Sequence, residues 1–488
     1  MDAVDSRQEF SSTGFAITIC LILAGTIHLF LRETMIFGIA TTLLKMICCK
    51  GRRAPGKLTG IAFPICVDDL TSSSGAALLT DLLRHGKHLP DGVAVSSIRN
   101  VNAQVTDGVK GDKAVLEVTY SGPVELPSQF FLKCNLQKLG AMRLLVATSD
   151  VCRCEAVFYT FLARESSDIV RVPKCFFVDF NDLTGEFCLL TEALDFGGKF
   201  QPLKHRVRDA ANLEEQLSFI DTGAKLHVRF WDDGPRTSLR HVPRFHDTHR
   251  QMWLLCMISG LLGLKQTVQK TVKGKIVNPG WMTWDCPQAL VGKEWELVCD
   301  MPAIMTTLSK EEGMVAFGHN DLTTDNAFYW RDHGGSLGIG LFDWQQSCFN
   351  NIGQEWAWNW HFLEPEFLDE NEDRMISSLL ATYSKLGRPV SRSKFLRAYT
   401  LGTIQMFVFG GGGLQLLMND LHRKLLFSTL VPNDPRCRAS EIAADLREKL
   451  VGAEMTRRTF TNCCNIMRRH NFFAAWQSWK RRKSFDTN

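Results

Sequence analysis

From Gly318 to Trp344 the chain runs polar loop, apolar stretch, glycine-bearing turn, apolar stretch, an order that few folds can accommodate. Ala327 to Trp330 is short and apolar, Arg331 to Gly335 holds turn residues, and Ser336 to Phe342 is β-like, which predicts a hairpin. Asn326 then enters the first strand and Asp343 leaves the second, so the two end side by side. Asp321 lies on the loop ahead, within Gly318-His-Asn-Asp-Leu-Thr-Thr-Asp-Asn326, facing the same space. One carboxylate placed as a base and two hard oxygen ligands suit Mg²⁺-dependent phosphoryl transfer. Mg²⁺ prefers oxygen donors and keeps one or two protein carboxylates beside the phosphates. The protein's share is then positioning and charge neutralisation. The same residues also fit an Asx-rich turn before an ordinary hairpin.

At 488 residues the chain exceeds one compact core and predicts two or three domains. A net charge of +4 implies no nucleic-acid partner. Sixteen cysteines form no Cys-x-x-Cys pair, and no Asn-x-Ser/Thr sequon occurs. This favours a reducing, cytosolic setting for the main domains.

Residues 14–31 are apolar apart from Thr18, Thr26 and His28. A helix there reaches about 27 Å, enough to cross a bilayer. Asp2, Asp5 and Glu9 precede it, while Arg32, Lys45, Lys50, Arg52, Arg53 and Lys57 follow. That bias predicts a single-pass membrane protein with its catalytic part in the cytosol, the endoplasmic reticulum being one membrane that fits. Residues 35–49 read as an interfacial helix rather than a second span. Cys48 and Cys49, beside basic residues, suit palmitate or are inert. A plain core helix is the competing reading of the whole region.

Ala76, Leu79, Leu82 and Leu83 follow Ser73 at helical spacing and end near Gly86. Val93 to Val105 and Ala114 to Tyr120 read as strands, the second with Leu116, Val118 and Tyr120 on one face. Between them Gly108 and Gly111 suit either close backbone approach to a phosphate or a simple hairpin turn. Pro127 to Lys133 is a further strand. Val151 to Leu162 is a helix whose apolar stripe carries Glu155, and a carboxylate there needs a partner. Lys133 is the candidate, although a solvent-facing glutamate is the alternative. Phe187 to Thr191 is a strand that runs through Glu192 and Leu194 to Gly197-Gly198, as at a hinge. Leu213 to Leu226 is a helix, and His227 reads as a packed helix-end residue. Beyond Ser309 the chain reads as helical except for the hairpin, with Trp356, Trp360 and Phe362 in the core. Leu401 to Leu417 carries Gly410 to Gly413 and predicts a buried helix with a kink or close crossing. Over 457–483 basic residues flank Phe472, Phe473, Trp476 and Trp479. This predicts either a segment for a membrane surface or calmodulin-like partner, or a final helix packed on the domain.

The order of Phe130-Phe-Leu-Lys133, Glu155-Ala-Val-Phe-Tyr159, Val172-Pro-Lys-Cys-Phe176, Leu190 to Leu194, Ala224 to Trp231, Gly318 to Asn326 and Phe342-Asp-Trp-Gln345 resembles the ecdysteroid kinase-like (CHK-type) phosphotransferases. These are relatives of choline kinases and aminoglycoside phosphotransferases, and the resemblance covers about Leu70 to Leu450. It implies an α+β, two-lobed protein-kinase-like fold with a β-rich small lobe and a mainly helical large lobe, behind the N-terminal transmembrane anchor. The implied divisions are 1–57 anchor, 58–195 small lobe, 196–450 large lobe and 451–488 tail. It further implies ATP and Mg²⁺ as cofactors and an alcohol as acceptor, hydrophobic (sterol- or lipid-like) or an amino alcohol. Asp321 would take the hydroxyl proton, and Asn326 and Asp343 would hold Mg²⁺. Lys133, braced by Glu155, would meet the phosphates under the Gly108 and Gly111 loop, and the backbone at Glu192 and Leu194 would read adenine. His319 would shape the loop. Two departures stand out: Asn320 replaces a common glycine, and Glu355-Trp-Ala357 replaces Asp-Leu-Ala. An inactive nucleotide-binding scaffold is the alternative.

Overall fold

The structure is a computed structural model. It describes residues 44, 48, 54–101, 112–135, 150–182, 184–196, 203–204, 209, 211–232, 239–272, 288–423, 429–437, 439 and 442–486. The expected anchor at 14–31, Cys49, Gly108 and Gly111 lie outside them. Cys48 is exposed. Among the described residues, no helix is long and apolar enough to cross a membrane.

Period-two alternation builds the first lobe. Helices α1 (Val67–Thr71) and α2 (Gly75–His85) precede strands β1 (Val95–Asn100), β2 (Asp112–Tyr120) and β3 (Gln129–Cys134). Helix α3 (Val151–Val157) continues into a wider turn, Phe158–Leu162, before β4 (Cys175–Phe180) and β5 (Phe187–Glu192). The five strands form one antiparallel sheet in the order β1-β2-β3-β5-β4. Ala114, Leu116 and Val118 of β2 join Phe130, Leu132 and Cys134 of β3 in a core with Leu79, Leu82 and Leu83 of α2. By alternation the opposite face carries Lys113, Val115, Phe131 and Lys133.

The second lobe is mainly helical. After β6 (Leu203–Lys204) come α4 (Leu213–Arg229), α5 (Phe245–Thr248), α6 (Arg250–Val272) and α7 (Glu294–Leu308). Four strands follow: β7 (Val315–Gly318), β8 (Ala327–Arg331), β9 (Leu337–Leu341) and β10 (Cys348–Asn351). The predicted hairpin is β8–β9, with Ala327 opposite Leu341. The β7–β10 pair was not expected, because two strands of four residues each, wholly buried, carry no periodic signal. The remaining helices are α8 (Ile352–Trp360), α9 (Pro365–Lys385), α10 (Arg392–Arg423), α11 (Ala444–Arg469) and α12 (Phe472–Asp486). The observed arrangement is the expected two-lobed α+β one.

The glycines of α10 mark a close crossing. A Cβ at Gly412 would lie 2.1 Å from the Ser259 carbonyl oxygen, so α10 and α6 meet backbone to backbone. The tail is part of the large lobe, not a separate segment: α11 runs straight through the expected boundary at 450. Phe472, Trp476 and Trp479 are buried, and the Trp476 indole N–H donates to Asp300 at 2.9 Å. Covering an indole of about 200 Å² stabilises this docking by roughly 5 kcal/mol before ordering costs. Three of the four aromatics in the segment expected to meet a membrane surface or a calmodulin-like partner thus pack against the protein itself, and Phe473 is half-buried. Lys480 pairs with Glu296 and Asp300, and Arg469 with Asp369 and Glu372.

Candidate active site

Strand β3 delivers Lys133 to the cleft from the small lobe. Its ammonium lies 2.8 Å from Glu155 Oε2 on α3 and 2.8 Å from Asp343 Oδ1, just past β9. Lys133 and Glu155 are buried, while Asp343 keeps a quarter of its side chain exposed. Burial alone would drive the ammonium down, but Asp343 and Glu155 more than offset it and hold Lys133 above the ordinary lysine range. The side chain is a permanent cation held by two carboxylates from different lobes. An aromatic stack keeps this alignment: Phe158, at the end of α3, lies flat on Trp344 with ring centroids 3.5 Å apart. Asp343 itself adopts φ 62° and ψ 55°, a left-handed conformation that an aspartate tolerates better than most side chains.

The catalytic loop hangs on a second buried carboxylate. Glu355 of α8 accepts the Asn320 backbone N–H at 3.0 Å through one oxygen and faces His227 Nε2 at 2.9 Å through the other. His227 Nδ1 reaches the Tyr383 hydroxyl at 2.6 Å, so α4, α8 and α9 are tied to the loop. Burial pushes the Glu355 carboxyl up, yet His227, Asn320 and His319 together hold it below the usual glutamate range. The two residues singled out in the sequence, Asn320 and Glu355, thus acquire a reason. Asn320 sits at φ +56°, where a common glycine would be at ease, and asparagine is among the few side chains that accept it. Its amide is anchored too, donating to the Gly318 and Cys348 carbonyls at 3.1 and 3.0 Å and accepting from Asn350 at 2.7 Å. The longer glutamate at 355 fits because residue 318 has no side chain: a Cβ there would stand 1.9 Å from Glu355 Oε2.

That contact gives a test. Gly318→Ala is expected to destabilise the protein by about 1–3 kcal/mol through overpacking. Shortening the acid in the double variant Gly318→Ala/Glu355→Asp should recover part of the loss in urea unfolding. A double variant no more stable than Gly318→Ala would show that the clash is not with this carboxylate.

His319 shapes the loop, as expected. Its buried Nε2 donates to the Phe342 carbonyl at 3.1 Å, and burial keeps the ring below the ordinary histidine value and neutral. Asp321 is half-buried with both oxygens engaged: Oδ2 accepts from Asn326 Nδ2 at 3.1 Å and Oδ1 from the Trp358 indole at 3.1 Å. Asn326 also donates to the Asp321 carbonyl at 2.9 Å, which uses its amide nitrogen and leaves its oxygen for other work. The Phe342 N–H donates to the Asn326 carbonyl at 3.1 Å, so Asn326 and Asp343 are neighbours across the hairpin root.

No family model matches the chain, and no curated protein matches it. Solved structures that it resembles include small-molecule kinases. The choline kinase of Cryptosporidium parvum is 11% identical, over 82% of this chain and 98% of that one, with a TM-score of 0.40. A microcompartment-associated aminopropanol kinase is 12% identical, over 78% and 95%, with a TM-score of 0.36. A Plasmodium vivax ethanolamine kinase is 12% identical, over 77% and 83%, with a TM-score of 0.36. Identities and TM-scores this low leave the chemistry to be argued from this chain's own residues.

Lys133, Glu155 and Asp343 thus form one cluster and Asp321 and Asn326 a second, the two adjoining at the hairpin root. Glu192 and Leu194 lie where β5 leaves the sheet, both half-buried, with Glu192 Oε1 accepting the Lys174 N–H at 3.0 Å. Sequence reasoning missed Trp358 and Asn359. The second accepts the Leu322 N–H at 2.9 Å and so fixes the residue after Asp321. The signal was there: Trp356 and Trp360 share a core stripe on α8, and Trp358 stands half a turn away from it. Lys113 was missed as well.

Proposed function

We propose that the protein is an ATP- and Mg²⁺-dependent kinase that phosphorylates the hydroxyl of a small-molecule alcohol. The observation that carries this reading is the Lys133 ammonium 2.8 Å from both Glu155 and Asp343, partners 22 and 210 positions away in the chain. A buried lysine braced by carboxylates from both lobes is suited to hold phosphate oxygens. Asp343 and the Asn326 side-chain oxygen are hard donors of the kind Mg²⁺ selects, which is the fit test for the ion. Among the described residues, no group of three or more His, Cys, Asp or Glu side chains could hold a metal. Mg²⁺ held by Asp343 and Asn326 would take its other ligands from phosphates and water.

When bound, Mg²⁺ would neutralise charge building between the terminal phosphates. Asp321, oriented by Asn326 and Trp358, would take the proton of the acceptor hydroxyl. That oxygen bonds to the γ-phosphorus as the bond to the ADP oxygen breaks. The apolar sequence at 14–31 supports a hydrophobic acceptor, and an amino alcohol is the other class in view.

The test is Mg²⁺-dependent ATP turnover over a panel of alcohols, with Asp343→Ala beside the wild type. Turnover is expected to fall by at least about 100-fold in the variant, through loss of a metal ligand. Equal rates would remove Asp343 from the chemistry. Nucleotide-dependent stabilisation with no turnover on any alcohol would instead identify an inactive scaffold.

A further inference from the structure

Lys113 is a second lysine on the cleft face of the sheet. In the β2–β3 register it stands directly opposite Lys133, and cross-strand partners project from the same face. Its neighbours in β2 confirm the side: Ala114, Leu116 and Val118 turn toward the apolar core, leaving Lys113 and Val115 facing the cleft.

The two lysines differ in what they touch. Lys133 has two carboxylates within hydrogen-bond distance. Lys113 is half-buried, and among the described residues no hydrogen bond or ion pair reaches its ammonium. Burial holds that ammonium below the ordinary lysine range, and the charges it feels are those of Asp343 and Glu155 on one side and Lys133 and Lys204 on the other. Lys204 belongs to the same space, with its Nζ 4.7 Å above the Phe342 ring. Lys133 is thus already matched by two carboxylates, and Lys113 stands beside it as a further cation with no hydrogen-bonded partner among the described residues. A cation that has lost water and gained no partner is costly, so its presence is explained by an anion that arrives from outside.

We propose that Lys113 is a second phosphate-binding lysine, gripping the triphosphate from β2 while Lys133 holds it from β3. This rests on the kinase reading of the cleft and adds a positioning residue to it. Lys113 forms no bond with the transferred group; it binds and orients the chain of phosphates so that the terminal one lies near Asp321 and Asp343.

The test is calorimetric titration of the full chain with a non-hydrolysable ATP analogue plus Mg²⁺, and separately with adenosine. Wild type, Lys113→Met and Lys113→Arg are compared. Lys113→Met is expected to bind the triphosphate about 10-fold or more weakly, adenosine unchanged, as for loss of one charged hydrogen bond. Lys113→Arg should restore most of the affinity. The nucleotide-free Tm of Lys113→Met should equal or exceed that of the wild type, since only an unpaired half-buried charge is removed. Triphosphate affinity equal to wild type, or an equal loss for adenosine and triphosphate, overturns the proposal while the kinase reading stands. A wild type that binds neither ligand overturns both.

Discussion

Asp321→Ala is expected to lower turnover of the alcohol about 10³-fold while Mg²⁺-nucleotide affinity stays within about three-fold. The asymmetry follows from where the side chain points. Asp321 contacts Asn326 and Trp358 on the large-lobe side of the loop, whereas the groups assigned to the phosphates are Lys133 and Asp343. Its removal takes away the proton acceptor and leaves Lys133 and Asp343 in place, while Asn326 keeps its bond to the residue 321 carbonyl. Single-turnover kinetics with a saturating acceptor separate the two effects. Should the variant lose nucleotide affinity and turnover together, Asp321 is a ligand of the nucleotide or metal and not the base. Trp358→Phe keeps the ring and deletes the indole donor, so it should weaken catalysis far less, through mispositioning alone.

Glu355→Ala is expected to cost about 3–5 kcal/mol of stability, the loss that follows when one partner of a buried charged network is removed. Two groups are orphaned, the Asn320 N–H and His227, and the first belongs to the turn that presents Asp321. Denaturant midpoints measure the loss. The pH dependence supplies the sign: the Glu355 carboxyl is held below its unfolded value in the folded protein. Its contribution is present in full above the unfolded carboxylate value of roughly 4.3 and fades as pH falls through the lower folded one. The stability difference between wild type and variant should therefore shrink on acidification. A difference that grows below that range would mean that the carboxyl is raised, not lowered.

Much of the site was legible before any coordinates. The hairpin could be read because turn residues separate two apolar runs, and it fixed Asn326 beside Asp343. Lys133 and Glu155 were found because an acid within an apolar helical stripe demands a partner. Lys113 was hidden because an alternating strand carries a polar residue on every second position as a matter of course. Only the register with β3 says that this one faces Lys133 across the sheet rather than open water. The β7–β10 pair escaped for a related reason: its strands are four residues each and wholly buried, so they show no alternation. The tail admitted two readings, since cations flanking aromatics describe a lipid-facing helix and a docked one equally well. In the structure Trp476 and Lys480 meet partners far upstream, Asp300 and Glu296 on α7.

The space between residues 318 and 355 carries a message about inheritance. A lineage that gains a side chain at 318 must trim the acid at 355, and one that trims the acid gives up reach toward the loop amide. Position 320 is bound into the same set, since only residues at home in a left-handed turn keep that amide aimed at the acid. These three sites should drift as one unit through descent, although none of them meets the reactants.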